Sequence, residues 1–189
     1  MATIFYTATS LDGFIADPHN SLDWLFQFGE LEPNTFDDFL AGVGAIAMGS
    51  TTYQWIHDHD FGDNADNPQP WPYRVPAWVF TSRQLPTIAG ADVRFVSGDV
   101  RPIHQEMAIA AGEKNLWIVG GGDLAGQFYD AGLLDEIVVQ IASVTLGGGA
   151  PLFPRRVDPP LKLLAAQTYG ENFAELRYSV LPPQSPDKS

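Results

Sequence analysis

For about two-thirds of the chain, short apolar runs alternate with segments whose apolar residues recur at helical spacing. Thr3 to Thr9 is rich in β-formers and reads as a first strand. Ala45 to Met48, Ala77 to Phe80, Val93 to Val96 and Leu116 to Val119 are short apolar runs of the kind that form buried strands, and Glu136 to Val144 is strand-like. Between them, Phe36, Phe39, Leu40 and Val43 follow a candidate N-cap, Asn34, and Thr51 to Ile56 opens a second helix. Asp99 is placed to cap a helix with Ile103, Met107, Ala110 and Ala111 inward and Gly112 at its end. Asp123 is placed to cap another, with Leu124, Phe128 and Ala131 inward and Gly132 as its stop. Ser10 to Pro18 reads as a loop that stays near the core, and Asp58 to Pro76 as a polar surface excursion.

Strands then run without helices. Leu161, Leu163 and Ala165 share one face of a segment ending at Tyr169. Ala174, Leu176, Tyr178 and Val180 alternate with Glu175, Arg177 and Ser179, and Gly170-Glu171-Asn172 joins the two strands as a hairpin. Pro182 to Ser189 reads as a disordered tail after one domain over residues 1–181. The pattern predicts an α/β fold: three layers, a mostly parallel central sheet between helices, and an antiparallel C-terminal hairpin.

Ligands of such sheets bind beyond the C-terminal strand ends. Three small-residue segments fall at such ends: Gly49-Ser50-Thr51-Thr52, Thr81-Ser82-Arg83 and Gly120-Gly121-Gly122-Asp123. The last is the most telling, because three bare residues between a strand and a helix allow close backbone approach to a ligand. The helix start then offers N–H groups to an anion. Each segment is also readable as a plain turn or cap; their coincidence favours a phosphate-bearing ligand.

Charge narrows the partners. The formal net charge is −13, from 10 Lys+Arg against 23 Asp+Glu, and the densest basic point is Arg155-Arg156. A nucleic-acid binder needs a basic face, so that class is excluded, whereas a small phosphorylated ligand held by amides and one or two arginines is not. The chain has no cysteine, which rules out disulfides, thiol catalysis and Cys-based metal sites and suits a cytoplasmic protein. The N-terminus lacks the features of a signal peptide, and no apolar run reaches membrane-spanning length. His57-x-His59 would put two imidazoles on one face of a strand, but no third ligand is evident and no metal site is assigned. No Gly-x-Ser-x-Gly elbow points to a hydrolase. Trp78 reads as core, and Trp71 and Tyr73 as rim of a ligand site or packing for the long loop.

Several motifs, in this order, resemble the dihydrofolate-reductase-like superfamily, and more closely its RibD C-terminal branch. They are Ser10-Leu11-Asp12-Gly13-Phe14-Ile15-Ala16, Met48-Gly49-Ser50-Thr51-Thr52-Tyr53 and Thr81-Ser82-Arg83. Val119 to Gly122 with Gln127-Phe128, Gly132 to Glu136, and Leu146 to Phe153 complete the set, so the resemblance spans roughly residues 3 to 181. It implies a dihydrofolate-reductase-like fold and a reductase using NADPH, with NADH the alternative. It also implies a cis Gly120-Gly121 bond beside the cofactor phosphates, flanked by Val119, Gly122, Asp123 and Leu124. By the same resemblance Gly49, Ser50, Thr51 and Thr52 would hold the pyrophosphate. Thr81, Ser82 and Arg83 would receive the adenosine end, with Arg83 either meeting a 2′-phosphate or remaining a solvated surface charge. Ala8 and Ile15 would line the nicotinamide pocket.

For substrate, the resemblance implies a pyrimidine-like C=N or C=O, as in a ribosylaminopyrimidine reductase of riboflavin biosynthesis. Asp12 is the candidate to hold the substrate or relay a proton, or else it only stabilises the turn before Gly13. Dihydrofolate reductases carry a pterin-binding acid early in their first helix; Asp37 and Asp38 lie in that region, closer to Met48 than the family spacing. Ser50 stands where many members have Arg or Lys, and Asp123 puts an anion where a phosphate is expected. Two other readings stay open, a dihydrofolate reductase and a nucleotide-binding regulatory domain without chemistry. A homodimer through the C-terminal hairpin and the Leu146 to Phe153 loop is expected, as in relatives.

Overall fold

A computed structural model describes residues 1–29, 36–60 and 71–181. The expected cap Asn34, most of the long polar excursion and the tail at 182–189 lie outside these residues. The elements in chain order are β1 (Thr3–Ser10), β2 (Phe14–Ala16), α1 (Asp23–Phe26), α2 (Phe36–Ala41), β3 (Val43–Gly49), α3 (Ser50–Asp60), β4 (Ala77–Phe80) and β5 (Val93–Val96). Then come α4 (Val100–Ala111), β6 (Asn115–Gly120), α5 (Gly122–Asp130), β7 (Glu136–Ala142), β8 (Ala150–Pro151), β9 (Lys162–Tyr169) and β10 (Phe173–Ser179).

Eight strands form one sheet in the order β5-β4-β3-β6-β1-β7-β10-β9. The first six are mutually parallel. β10 runs antiparallel to both β7 and β9, which gives the expected hairpin edge. Period-2 alternation explains why so many strand residues are apolar. Phe5, Ala45, Ala47, Trp78, Leu116 and Ile118 point to one face, where α4 and α5 pack through Met107, Ala111, Leu124 and Phe128. Ile4, Tyr6, Ile46, Met48, Val79 and Trp117 point to the other, against Tyr53 and Ile56 of α3 and Phe39 of α2. Both faces are therefore dry, as a parallel sheet with helices on each side requires. Met107 and Phe128 are fully buried, and each such side chain contributes about 1.5–3 kcal/mol.

Local signals set the helix ends. Asp99 caps α4 by accepting from the Arg101 amide at 3.0 Å, and Gly112 ends it at φ 62°. Its buried stripe is Val100, Ile103, Met107 and Ala111; Ala110, expected inward, is exposed because it falls off that stripe. Asp123 is not the cap of α5. Gly121 holds that position, and Asp123 lies within the first turn. The helix opened by Ser50 runs on to Asp60, so His57 and His59 sit on a helix rather than a strand. At about 100° per residue, two positions apart send side chains to different sides. Leu163 and Leu164 are both exposed, at 53% and 46%, because β9 is the sheet edge and its face is uncovered.

One close approach fixes α4 on the sheet. A Cβ added to Gly44 of β3 would lie 2.7 Å from the Ala111 carbonyl oxygen. Gly44→Ala is therefore expected to lower stability by about 1–3 kcal/mol through overpacking. Urea unfolding measures it, and an unchanged midpoint contradicts the packing described.

Candidate functional site

Register brings the three small-residue segments to one rim. Gly49 of β3 pairs with Phe80 of β4, and Met48 pairs with Gly120 of β6. Ser50, Thr81 and Gly121 thus leave three neighbouring strands at the same edge of the sheet. Beyond that edge lies a cleft of about 400 Å³. One wall is the glycine turn with Thr51 and Thr52 at the start of α3. The opposite wall is a small ribbon in which Phe14 and Ala16 of β2 pair with Pro151 and Ala150 of β8. Ile15, Ala16 and Pro151 line the cleft from there, and Trp55, Ile56 and Tyr73 also line it. A second cleft of about 460 Å³ adjoins it, sharing Asn20, Thr51 and Trp55 and adding His19, Gln54 and His59.

The three glycines are bare for three different reasons. A Cβ on Gly120 would lie 2.7 Å from the Thr52 hydroxyl oxygen. Gly121 has φ 95°, a conformation closed to most residues with a side chain. A Cβ on Gly122 would collide with the Pro151 and Leu152 carbonyl oxygens. The expected cis bond at Gly120-Gly121 is not found. The cis bond among the described residues is Asp158-Pro159, and the chain turns at Gly121 through its positive φ instead. The turn leads into nine-residue α5, whose N-cap supplies no side-chain hydrogen bond. Its first amides have no intrahelical partner.

Asp123 is accounted for by Arg155. Its carboxylate accepts from Gln127 Nε2 at 2.9 Å and from Arg155 Nη2 at 2.9 Å. These bonds hold the Asp123 carboxyl below the usual carboxylate range, so it stays ionised and paired. Arg155 also donates to Asp130 at 2.8 Å and lies over Gly126, where a Cβ would meet its Cγ at 2.9 Å. The guanidinium ties the loop after β8 along α5. The anion beside the helix start is thus locally balanced.

The remaining expected residues are placed as follows. Ile15, Thr51, Thr52, Val119, Gly120, Gly121, Gly122 and Asp123 line the cleft. Gly49 and Ser50 are half-buried at the β3–α3 junction, and Leu124 is buried in the core under the turn. Ala8 packs with Trp24 and Ala142 instead of facing the cleft. Thr81, Ser82 and Arg83 lie outside its walls, on the neighbouring strand end. The Thr81 hydroxyl oxygen accepts from the Arg83 amide at 2.9 Å, and Ser82 and Arg83 are exposed. Trp78 is fully buried with Arg94 over its ring at 4.5 Å, and Trp71 packs on Tyr53 and Tyr73.

Asp12 does not line the cleft. It accepts from Ser10 Oγ at 2.6 Å and from the amides of Leu146 and Gly147 at 3.0 and 2.7 Å. It clamps the loop before β8 to the loop before β2, and so holds the ribbon wall. Asp37 and Asp38 are exposed on α2. On that side of the sheet Glu175 is a half-buried carboxylate, which accepts from the Tyr6 hydroxyl at 3.0 Å and Gln140 Nε2 at 3.0 Å. Burial, reinforced by this carboxylate, raises the Tyr6 pKa and keeps the phenol neutral. Arg155, Trp55 and Asn20 gave no signal as site residues in the sequence; Asn20 adopts φ 60°, rare for a residue with a side chain. Among the described residues no group of three or more His, Asp or Glu is arranged to hold a metal.

The architecture is dihydrofolate-reductase-like. A dihydrofolate reductase from Enterococcus faecalis, complexed with NADP(H), superposes with a TM-score of 0.61 at 16% identity, over 94% of this chain and 95% of that one. The RibD C-terminal domain model matches residues 2–174, and the chain belongs to that family. A protein described as a putative riboflavin biosynthesis protein from Shewanella sp. PV-4 is 28% identical, with a TM-score of 0.77, over 96% of this chain and all of that one. The deaminase and 5-amino-6-(5-phosphoribosylamino)uracil reductase of Thermotoga maritima matches at 16% identity and a TM-score of 0.65, over 95% of this chain and 56% of its own. No helix among the described residues is long and apolar enough to cross a membrane.

Asp12→Asn tests the clamp. The hydrogen bonds from Ser10, Leu146 and Gly147 lower the Asp12 pKa in the folded state. A lowered pKa gives stability that is present above the unfolded value, about 4, and is lost as pH falls through the folded value. The variant should be less stable than wild type at pH 7, with the difference shrinking below about pH 4. Thermal unfolding at the two pH values measures this; an equal deficit at both contradicts it.

Proposed function

We propose that this protein is a nicotinamide-dependent reductase, using NADPH with NADH as the alternative, that acts on a C=N or C=O of a pyrimidine-like ring. The observation that carries the reading is the convergence of three parallel strand ends on one apolar cleft whose glycine turn leads into an uncapped helix. A reduced nicotinamide would supply a hydride to the electron-poor carbon, and a proton on nitrogen or oxygen completes the reduction. Family membership and neighbours of known structure that are reductases support the same reading.

The chain's own residues would bind and orient. Amides of Gly121 to Asp123 and the hydroxyls of Thr51 and Thr52 suit a pyrophosphate, which needs donors more than net charge. Asp123, paired with Arg155, does not oppose it. Thr81 and Arg83, on the neighbouring strand end, would receive the adenosine end, and Arg83 is the candidate for a 2′-phosphate. Ile15, Ala16, Ile56 and Pro151, which line the cleft, would shield a nicotinamide from water. Asp12 acts here as a positioning residue, through the ribbon that carries Ile15.

NADPH is expected to bind with a dissociation constant well below millimolar, read as quenching of tryptophan fluorescence. Thr51→Ala should weaken it by about tenfold, the worth of one hydrogen bond to a charged group. Arg83→Ala should weaken NADPH by about tenfold and leave NADH unchanged. No response to either nucleotide overturns the proposal. Equal losses for both nucleotides in Arg83→Ala remove Arg83 from the 2′-phosphate.

A further inference from the structure

We infer that the substrate ring accepted by this protein carries no phosphate ester. The inference rests on the reductase reading above and concerns the same two clefts. A phosphate monoester brings between one and two negative charges at neutral pH. Burying it needs a guanidinium, an ammonium or an uncommitted helix start. The helix starts at this rim, those of α3 and α5, are taken by the cofactor's pyrophosphate in that reading.

Among the described residues no Lys or Arg stands in for them. The whole chain has 10 Lys+Arg, and none of those within the described residues lines either cleft. Arg155 is committed to Asp123 and Asp130. Arg94 lies over Trp78, Arg101 meets Asp99, Arg156 meets Asp158 and Arg177 meets Glu136. Arg83 is on the adenosine side of the rim. Arg74, Lys114 and Lys162 are exposed and outside both walls. Residues 30–35 and 61–70, outside the described residues, contain neither Lys nor Arg. Lys188 belongs to the C-terminal segment outside the described residues.

What the clefts do offer is aromatic, hydrogen-bonding and acidic, with two imidazoles, His19 and His59, on the outer one. Trp55 stands at their junction, stacked on His59 at 4.7 Å and on Phe26 at 5.8 Å. Gln54, Asn20 and Thr51 provide hydrogen bonds, and Asp58 is an anion on the outer cleft. This lining favours a flat ring with hydroxyl or amide substituents and repels a dianion. It separates the chain from a reductase of a phosphoribosylamino compound, such as the Thermotoga protein is named for.

The test uses the whole protein saturated with NADPH at pH 8. Two probes, 5-amino-6-ribosylaminouracil and its 5′-phosphate, are titrated by calorimetry. The unphosphorylated probe is expected to bind at least about tenfold more tightly. Equal or tighter binding of the phosphate overturns the inference, as does failure of both probes to bind at millimolar concentration. NADPH binding is measured separately beforehand. Its absence fells the reductase reading itself, whereas NADPH binding with the phosphate preferred fells only this inference.

Discussion

Burial of both faces of a parallel sheet governs this molecule. β1, β3, β4 and β6 are apolar on both sides because helices or loops cover both sides. Parallel neighbours must all deliver their C-terminal ends to the same edge, so every β–α junction opens there. The glycine turn, the Thr51-Thr52 helix start and the Thr81 turn meet at one rim for that reason alone. The site is a consequence of topology before it is a consequence of any side chain.

The opposite wall of the cleft has a different origin. β2 and β8 are short, and their pairing joins residues more than a hundred positions apart. Asp12 holds the two loops that lead into them, while Gly122 allows the Pro151-Leu152 backbone to come against α5. Arg155 fastens the end of that segment to α5 through Asp123 and Asp130. These contacts serve a single segment, residues 144–156, and that segment makes the rim into a cleft. Asp12 and Asp123 thus both act on the shape of the site.

What could be read from the sequence follows from the range of the signal. β4 and β5 begin and end where their apolar runs do, and the caps Asp99 and Gly112 bound α4 as expected, because those signals are local. The order of small-residue strand ends located the rim. The β2–β8 ribbon was not legible, since two or three residues carry no periodicity and the partner is remote. Asp123 has the local signature of a cap, but it lies in the first turn of α5 and its partner, Arg155, is 32 positions away. Ala8 was expected in the nicotinamide pocket and packs under Trp24 instead, with α1, a four-residue turn too short to show a period. The cis Gly120-Gly121 bond that the resemblance implies is not found, and Gly121 has φ 95° at the turn.

In the function proposed, the rim takes a nicotinamide dinucleotide by its phosphates. An amide-resolved NMR titration of the protein with NADPH addresses it most directly. The largest shift changes are expected at the amides of Ser50 to Thr52 and Gly121 to Asp123, with smaller ones at Thr81 to Arg83. Shifts concentrated elsewhere, or none at millimolar NADPH, would contradict it.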